Sequence, residues 1–241
     1  VWRDEVAAMT ATERLVRAAR ATGARVHLLH VSTAEEMEYV AAYKDCVSVE
    51  VTPQHLTFSA DDYTRLGTRL QMNPPVRDAR HRARLWRGVR EGVADILGSD
   101  HAPHTLEEKA RPYPASPSGM PGVQTLVPVM LNHVAAGRLS LERFVDMTSA
   151  GPARLFGIAG KGRTAVGYDA DFTIVDLKRR ETIADARSAS RSGWTPYDGM
   201  TVTGWPVGTW VRGRRVMWEG ELVTPATGAA IRFGEALPRG A

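Results

Sequence analysis

The densest run of reactive side chains is Gly98-Ser99-Asp100-His101-Ala102-Pro103-His104, which sets one carboxylate and two imidazoles within five residues. Gly98 and Ser99 let the backbone pass closely, Asp100 can meet a metal and take a proton, and Pro103 stiffens the turn that presents His104. The plain alternative is an Asp-His capping turn. Two more histidines stand at comparable places: His30 closes Val26-His27-Leu28-Leu29-His30, and His55 follows Val51-Thr52-Pro53-Gln54. The two-residue strand period sets His30 beside Val26 and Leu28 and turns His27 the other way, so His27 reads as structural. His55 stays open between ligand, substrate contact and loop residue. Imidazole and carboxylate on separate strands suit a hydrolytic metal centre, because both bind zinc and such a metal generates hydroxide near neutral pH. Catalytic zinc takes three protein ligands and structural zinc four. His30 and Asp100 therefore need partners, and no other His, Asp or Glu sits at an equally convincing strand end.

The elements that must position these residues alternate. Apolar residues at helical spacing run through 5–22 and stop at Thr22-Gly23, and a short buried strand follows over Val26 to Val31. Ser32-Thr33-Ala34-Glu35-Glu36 reads as a capped helix start leading to Tyr43, and Val47 to Val51 as the next strand. A turn-rich loop through Asn73-Pro74-Pro75 precedes a helix over 79–92, a third strand over 95–99, a proline-rich loop over 112–121, and a helix from Val123 to Val134. A helical pair over 140–149 and 151–156 closes this half. Helix and short apolar strand in regular alternation argue for parallel strands with crossover helices. In such folds the loops after the strands form the active-site face, where His30 and Asp100 fall. Beyond Gly157 the texture changes to a Gly/Lys linker and short strands over 171–176, 201–203, 209–211 and 215–218. The expected domains are thus 1–160, an α/β portion, and 161–241, a small β module.

The composition is that of a soluble globular protein: 241 residues, 43% hydrophobic and 24% charged. No apolar run approaches a membrane span, and the first residues lack the basic start and apolar stretch of a secretory signal. The single cysteine, Cys46, rules out an internal disulfide framework and fits a cytoplasmic setting. The net charge is +4, and Arg supplies 27 of the 31 cations. These arginines are scattered between apolar residues without aromatic interleaving, which argues against nucleic acid as partner and leaves room for steering an anionic small molecule.

Taken in order, the segments Leu29-His30-Val31-Ser32-Thr33, Glu50-Val51-Thr52-Pro53-Gln54-His55-Leu56, Gln71-Met72-Asn73-Pro74-Pro75-Val76-Arg77, Gly98 to His104 and Ser118-Gly119-Met120-Pro121-Gly122-Val123-Gln124-Thr125 resemble the cyclic amidohydrolases of the amidohydrolase superfamily. The likeness is greatest to the bacterial dihydroorotases of the longer, class I type, and it covers essentially the whole chain. It implies the C-terminal part of a metal-dependent-hydrolase TIM barrel, strands six to eight, followed by a small β-sandwich module. It also implies His30 as a metal-binding histidine, Asp100 as the metal-bound catalytic carboxylate, and Asn73 and His104 as holders of the substrate, with backbone around Pro121 and Gly122 on the pyrimidine ring. His55 takes a structural or supporting role. Asn73-Pro74-Pro75 and the His104 ending favour dihydroorotase over allantoinase, hydantoinase and dihydropyrimidinase.

The implied reaction is the reversible opening of (S)-dihydroorotate to N-carbamoyl-L-aspartate in pyrimidine synthesis, with Zn2+, binuclear in the whole enzyme, as cofactor and Asp100 as proton shuttle. A homo-oligomer is expected, with aspartate transcarbamoylase as a possible partner. The family's His-x-His pair, its bridging carboxylated Lys or Asp, and a further His are absent. The expectation is therefore a chain that opens mid-barrel and is inactive alone. The competing expectations are a non-catalytic scaffold subunit and another cyclic amidase.

Overall fold

The structure, a computed structural model, describes residues 3–223, 225 and 228–234. The chain divides into two compact units, one formed by the residues up to Leu126 with Thr182–Met200, the other by Val127–Glu181 with the residues from Thr201 on. These units part at different places from the change of sequence texture near residue 160. Of the β module expected over 161–241, Thr224, Ala226, Thr227 and residues 235–241 lie outside the described residues.

In the first unit, α1 (Glu5–Thr22) starts on Asp4, whose carboxylate accepts from the Ala7 N–H, and stops at Gly23, which is left-handed. Strand β1 (Val26–Leu28) follows, then α2 (Ala34–Val40), β2 (Val47–Val51), the short helices α3 (Pro53–Thr57) and α4 (Tyr63–Leu66), α5 (Ala79–Arg90), β3 (Ile96–Leu97) and α6 (Leu106–Lys109). The three strands form a parallel sheet in the order β1-β2-β3, with Val26 opposite Val47, Leu28 opposite Val49 and Val51 opposite Leu97. That face is apolar and buried. Helix α2 packs on both α1 and α5, with Val16, Ala19, Met37, Leu85 and Val89 in the core. The other face carries His27, Ser48 and Glu50, so strand alternation sorts the sheet into an apolar side and a polar side.

The expected strands over 26–31 and 95–99 are shorter than anticipated. β1 ends at Leu28, and His30 adopts φ 40° in the left-handed region, so the two-residue period does not carry through to it and cannot set its direction. Asp100 likewise leaves β3 with φ 43°.

The second unit holds most of α7 (Leu126–Ala135), with α8 (Leu141–Val145), a π-helical turn over Asp146–Ala150, α9 (Gly151–Phe156) and strands β4 (Phe172–Thr182), β5 (Thr201–Val211), β6 (Arg214–Trp218) and β7 (Glu221–Leu222). The four strands form one sheet in sequence order. The two short strands expected over 201–203 and 209–211 are one continuous strand. Gly204 keeps it on course with φ 96° where a side chain would meet Leu131, and Pro206 lies outside the pairing with β6, which begins at Gly208. The glycine-rich linker is held by Lys161, whose ammonium pairs with Asp169 and Asp171.

Candidate active site

His30 and Asp100 follow the ends of β1 and β3, while Asn73 lies in the loop before α5. Val31 donates its N–H to Glu50 O at 2.9 Å, and the His30 N–H reaches the Glu50 carboxylate at 3.2 Å. Glu50 itself lies on the polar face of the sheet against Gly98, where a Cβ would come within 2.2 Å of its carboxyl carbon. A side chain in place of Gly98 would push that carboxylate out. Burial raises the Glu50 pKa, opposed by the His30 N–H and by the charge of His30, while Asp100 raises it further. Burial also raises the Asp100 pKa, and His30 opposes it. Glu50 and Asp100 thus each feel the His30 imidazole, though their nearest supports lie on different strands.

His30 and Asp100 share a second property. Both are non-glycine residues held at positive φ, a conformation costing about 1–3 kcal/mol each that persists only where surroundings impose it. A metal suits this pair in kind, an imidazole and a carboxylate presented from β1 and β3. Among the described residues no group of three or more His, Cys, Asp or Glu converges.

Asn73 and His104 come together. Both line a cavity of about 730 Å³ whose walls include Tyr63, Gln71, Tyr113 and Ser118. His30, Asp100, Pro121 and Gly122 are not among its lining residues. Gly122 is buried so close to Ser99 that a Cβ would lie 2.3 Å from the Ser99 carbonyl, immediately before Asp100. The Gly122 N–H donates to His101 Nδ1 at 3.1 Å, and its carbonyl accepts from Leu126 at 3.1 Å. His104 Nδ1 lies 3.6 Å from the Glu108 carboxylate, and its carbonyl accepts from the Trp194 indole at 2.7 Å.

His55 is fully buried and neutral. Thr52 Oγ1 meets its Nδ1 at 2.8 Å and its Nε2 donates to the Pro74 carbonyl at 3.1 Å, while burial pushes its pKa down to about 4. The Pro74 carbonyl belongs to the loop that carries Asn73, so His55 holds that loop.

Residues 5–216 match the Amidohydrolase family. The chain belongs to the amidohydrolase family. Among curated amidohydrolase relatives, the dihydroorotase of Halobacterium salinarum is 40% identical over 231 residues, 96% of this chain and 54% of that protein. The dihydroorotase of Pyrococcus furiosus is 37% identical over 230 residues, 95% of this chain and 54% of that protein. The chain spans about half the length of the curated relatives it matches. Among solved structures, the L-hydantoinase (dihydropyrimidinase) of Arthrobacter aurescens superposes with TM-score 0.86 at 38% identity, over 89% of this chain and 49% of that one. The D-hydantoinase of a Thermus species gives 0.83 at 28% identity, over 89% and 49%. The amidohydrolase match makes the parallel strands and their helices those of a metal-dependent-hydrolase TIM barrel, as the motifs led us to expect. Membership implies a metal cofactor in general. Among the described residues no helix is long and apolar enough to cross a membrane.

Several supporting groups escaped the sequence reading. Glu50 was findable, because strand parity puts it opposite Val47, Val49 and Val51. Lys109 and Trp194, both buried against this site, had no local signal, since their partners are backbone carbonyls, which no residue type announces.

Proposed function

We propose that this chain carries the Asp100 and substrate-binding side of a dihydroorotase, which hydrolyses the cyclic amide of (S)-dihydroorotate reversibly to N-carbamoyl-L-aspartate in de novo pyrimidine synthesis. The observation that carries the reading is the shared cavity, which gathers Asn73 and His104 although a long stretch of sequence separates them. The curated relatives named dihydroorotase support it. His30 and Asp100 would hold the metal, zinc as one of a pair, and a bound metal polarises the amide carbonyl and lowers the pKa of water. Asp100 takes the proton of the attacking water and hands it to the departing ring nitrogen, a transfer that needs a carboxylate within reach of both. Asn73 and His104 donate hydrogen bonds to the anionic substrate, and backbone around Pro121 and Gly122 borders the ring. A homo-oligomeric cytoplasmic enzyme, associated with aspartate transcarbamoylase, belongs to the same proposal.

A second reading, another cyclic amidase, is favoured by the close superposition on hydantoinases. Against it stand Asn73-Pro74-Pro75 and the His104 ending of the Asp100 segment. The role of Asp100 is tested by Asp100→Asn in a metal-loaded protein that supplies the missing ligands beside this chain. The variant keeps an oxygen ligand but no proton acceptor, so metal content holds while turnover falls by about a thousandfold. Near-normal turnover overturns the assignment.

A further inference from the structure

The wall of the Asn73–His104 cavity is held by a cation that the proposed chemistry does not use. Lys109 ends α6, and its side chain is 1% exposed. Its ammonium donates to the carbonyls of Gln71 at 3.0 Å, Pro117 at 2.8 Å and Gly119 at 2.9 Å. An ammonium has three donors and no acceptor, so these contacts use it completely. Burial pushes its pKa down, to about 8, which leaves it charged at neutral pH.

The partners explain why a charge is kept there. Neutral carbonyls offset only part of the cost of burying an ammonium, while an apolar side chain in its place would leave those carbonyls without their donor. Gln71 lies two residues before Asn73, Gly119 two before Pro121, and Lys109 follows His104 in the same loop and short helix. The Gly119 N–H also donates to the Gln71 carbonyl at 2.9 Å, which ties the first and last of these segments directly. Trp194 completes the arrangement: its ring centroid lies 6.0 Å from the ammonium, and its indole N–H holds the His104 carbonyl at 2.7 Å. One buried cation and one indole therefore fasten the loops that bring Asn73 and His104 to this cavity and the segment that leads to Pro121 and Gly122.

We propose that Lys109, seconded by Trp194, is a positioning residue that sets the spacing of Asn73, His104 and the Pro121–Gly122 backbone around a bound cyclic amide. The inference rests on the reading that this cavity receives the substrate ring. Lys109 touches no reacting atom, so its effect is on ground-state binding.

The test uses Lys109→Met and Trp194→Phe in the full protein, with steady-state kinetics on whichever cyclic amide the wild type opens. Both variants raise KM, Lys109→Met by about tenfold, while kcat stays within about threefold, the pattern of lost uniform binding. Lys109→Arg does not rescue, because a planar fork cannot meet three converging carbonyls. An unchanged KM in both variants, or a loss confined to kcat, overturns the proposal. Should Lys109→Met fail to fold, Trp194→Phe decides by its KM alone. If the wild type opens no cyclic amide, the dihydroorotase reading falls, and hydrogen exchange judges the positioning role instead. Faster exchange of the Gly119 and Ala102 amides in either variant, with β5 unchanged, upholds it, and equal exchange throughout overturns it.

Discussion

At the scale of single residues, the protonation of His55 has a measurable consequence. Its pKa is about 4 in the fold against an ordinary 6.5, because burial disfavours the imidazolium. Between those values the unfolded chain binds a proton that the folded chain does not. Stability is therefore fully present above the unfolded value and is lost as the pH falls toward the folded one. From about pH 7 to about pH 5 this one group removes about 2 kcal/mol. Urea unfolding at both pH values, compared with His55→Asn, checks it: the variant is weaker at neutral pH but loses less on acidification. Equal losses would contradict the neutral, buried state. In the sequence His55 was ambiguous, since nothing in Thr52-Pro53-Gln54-His55 announces that its partner is the Pro74 carbonyl. His30 was singled out for a reason that the structure replaces. Its strand-end position was legible, but its direction rests on a left-handed backbone that alternation cannot foresee.

Among the elements, the legible features are those with local causes. A helix start capped by Ser32 or Thr33 was readable from residue types; the cap is Thr33, whose Oγ1 accepts from the Glu36 N–H at 3.1 Å. The parallel strands were readable from the alternation of apolar runs with amphipathic helices. Less legible was Thr182–Met200, which falls between β4 and β5 in sequence yet belongs to the first unit. Its anchor is Trp194, buried among Arg69, Lys109 and the His104 carbonyl, and no local pattern announces such contacts. The loop after β3 depends on a close approach that only glycine permits. At Gly122 a Cβ would meet the Ser99 carbonyl at 2.3 Å and the Gln54 amide at 2.7 Å, and a backbone carbonyl cannot swing aside as a side-chain end can. Gly122→Ala should cost about 1–3 kcal/mol in thermal or chemical unfolding and reduce turnover through Asp100, which follows Ser99. A variant as stable and as active as the parent would refute that packing.

For the molecule as a whole, the family was legible because its motifs are short and occur in order along nearly the entire chain. Residues 5–216 carry the match. Substrate is a finer matter than family, since relatives named dihydroorotase and structures of hydantoinases both resemble this chain closely. The residues that separate the two readings, Asn73 and His104, stand together on one cavity. The most direct test is ring opening by a metal-loaded protein that supplies the missing ligands beside this chain, assayed in parallel on dihydroorotate, hydantoin, dihydrouracil and allantoin. The account predicts a kcat/KM for dihydroorotate at least about a hundredfold above the others. A preference for hydantoin or dihydrouracil, or no ring opening with metal bound, would contradict it.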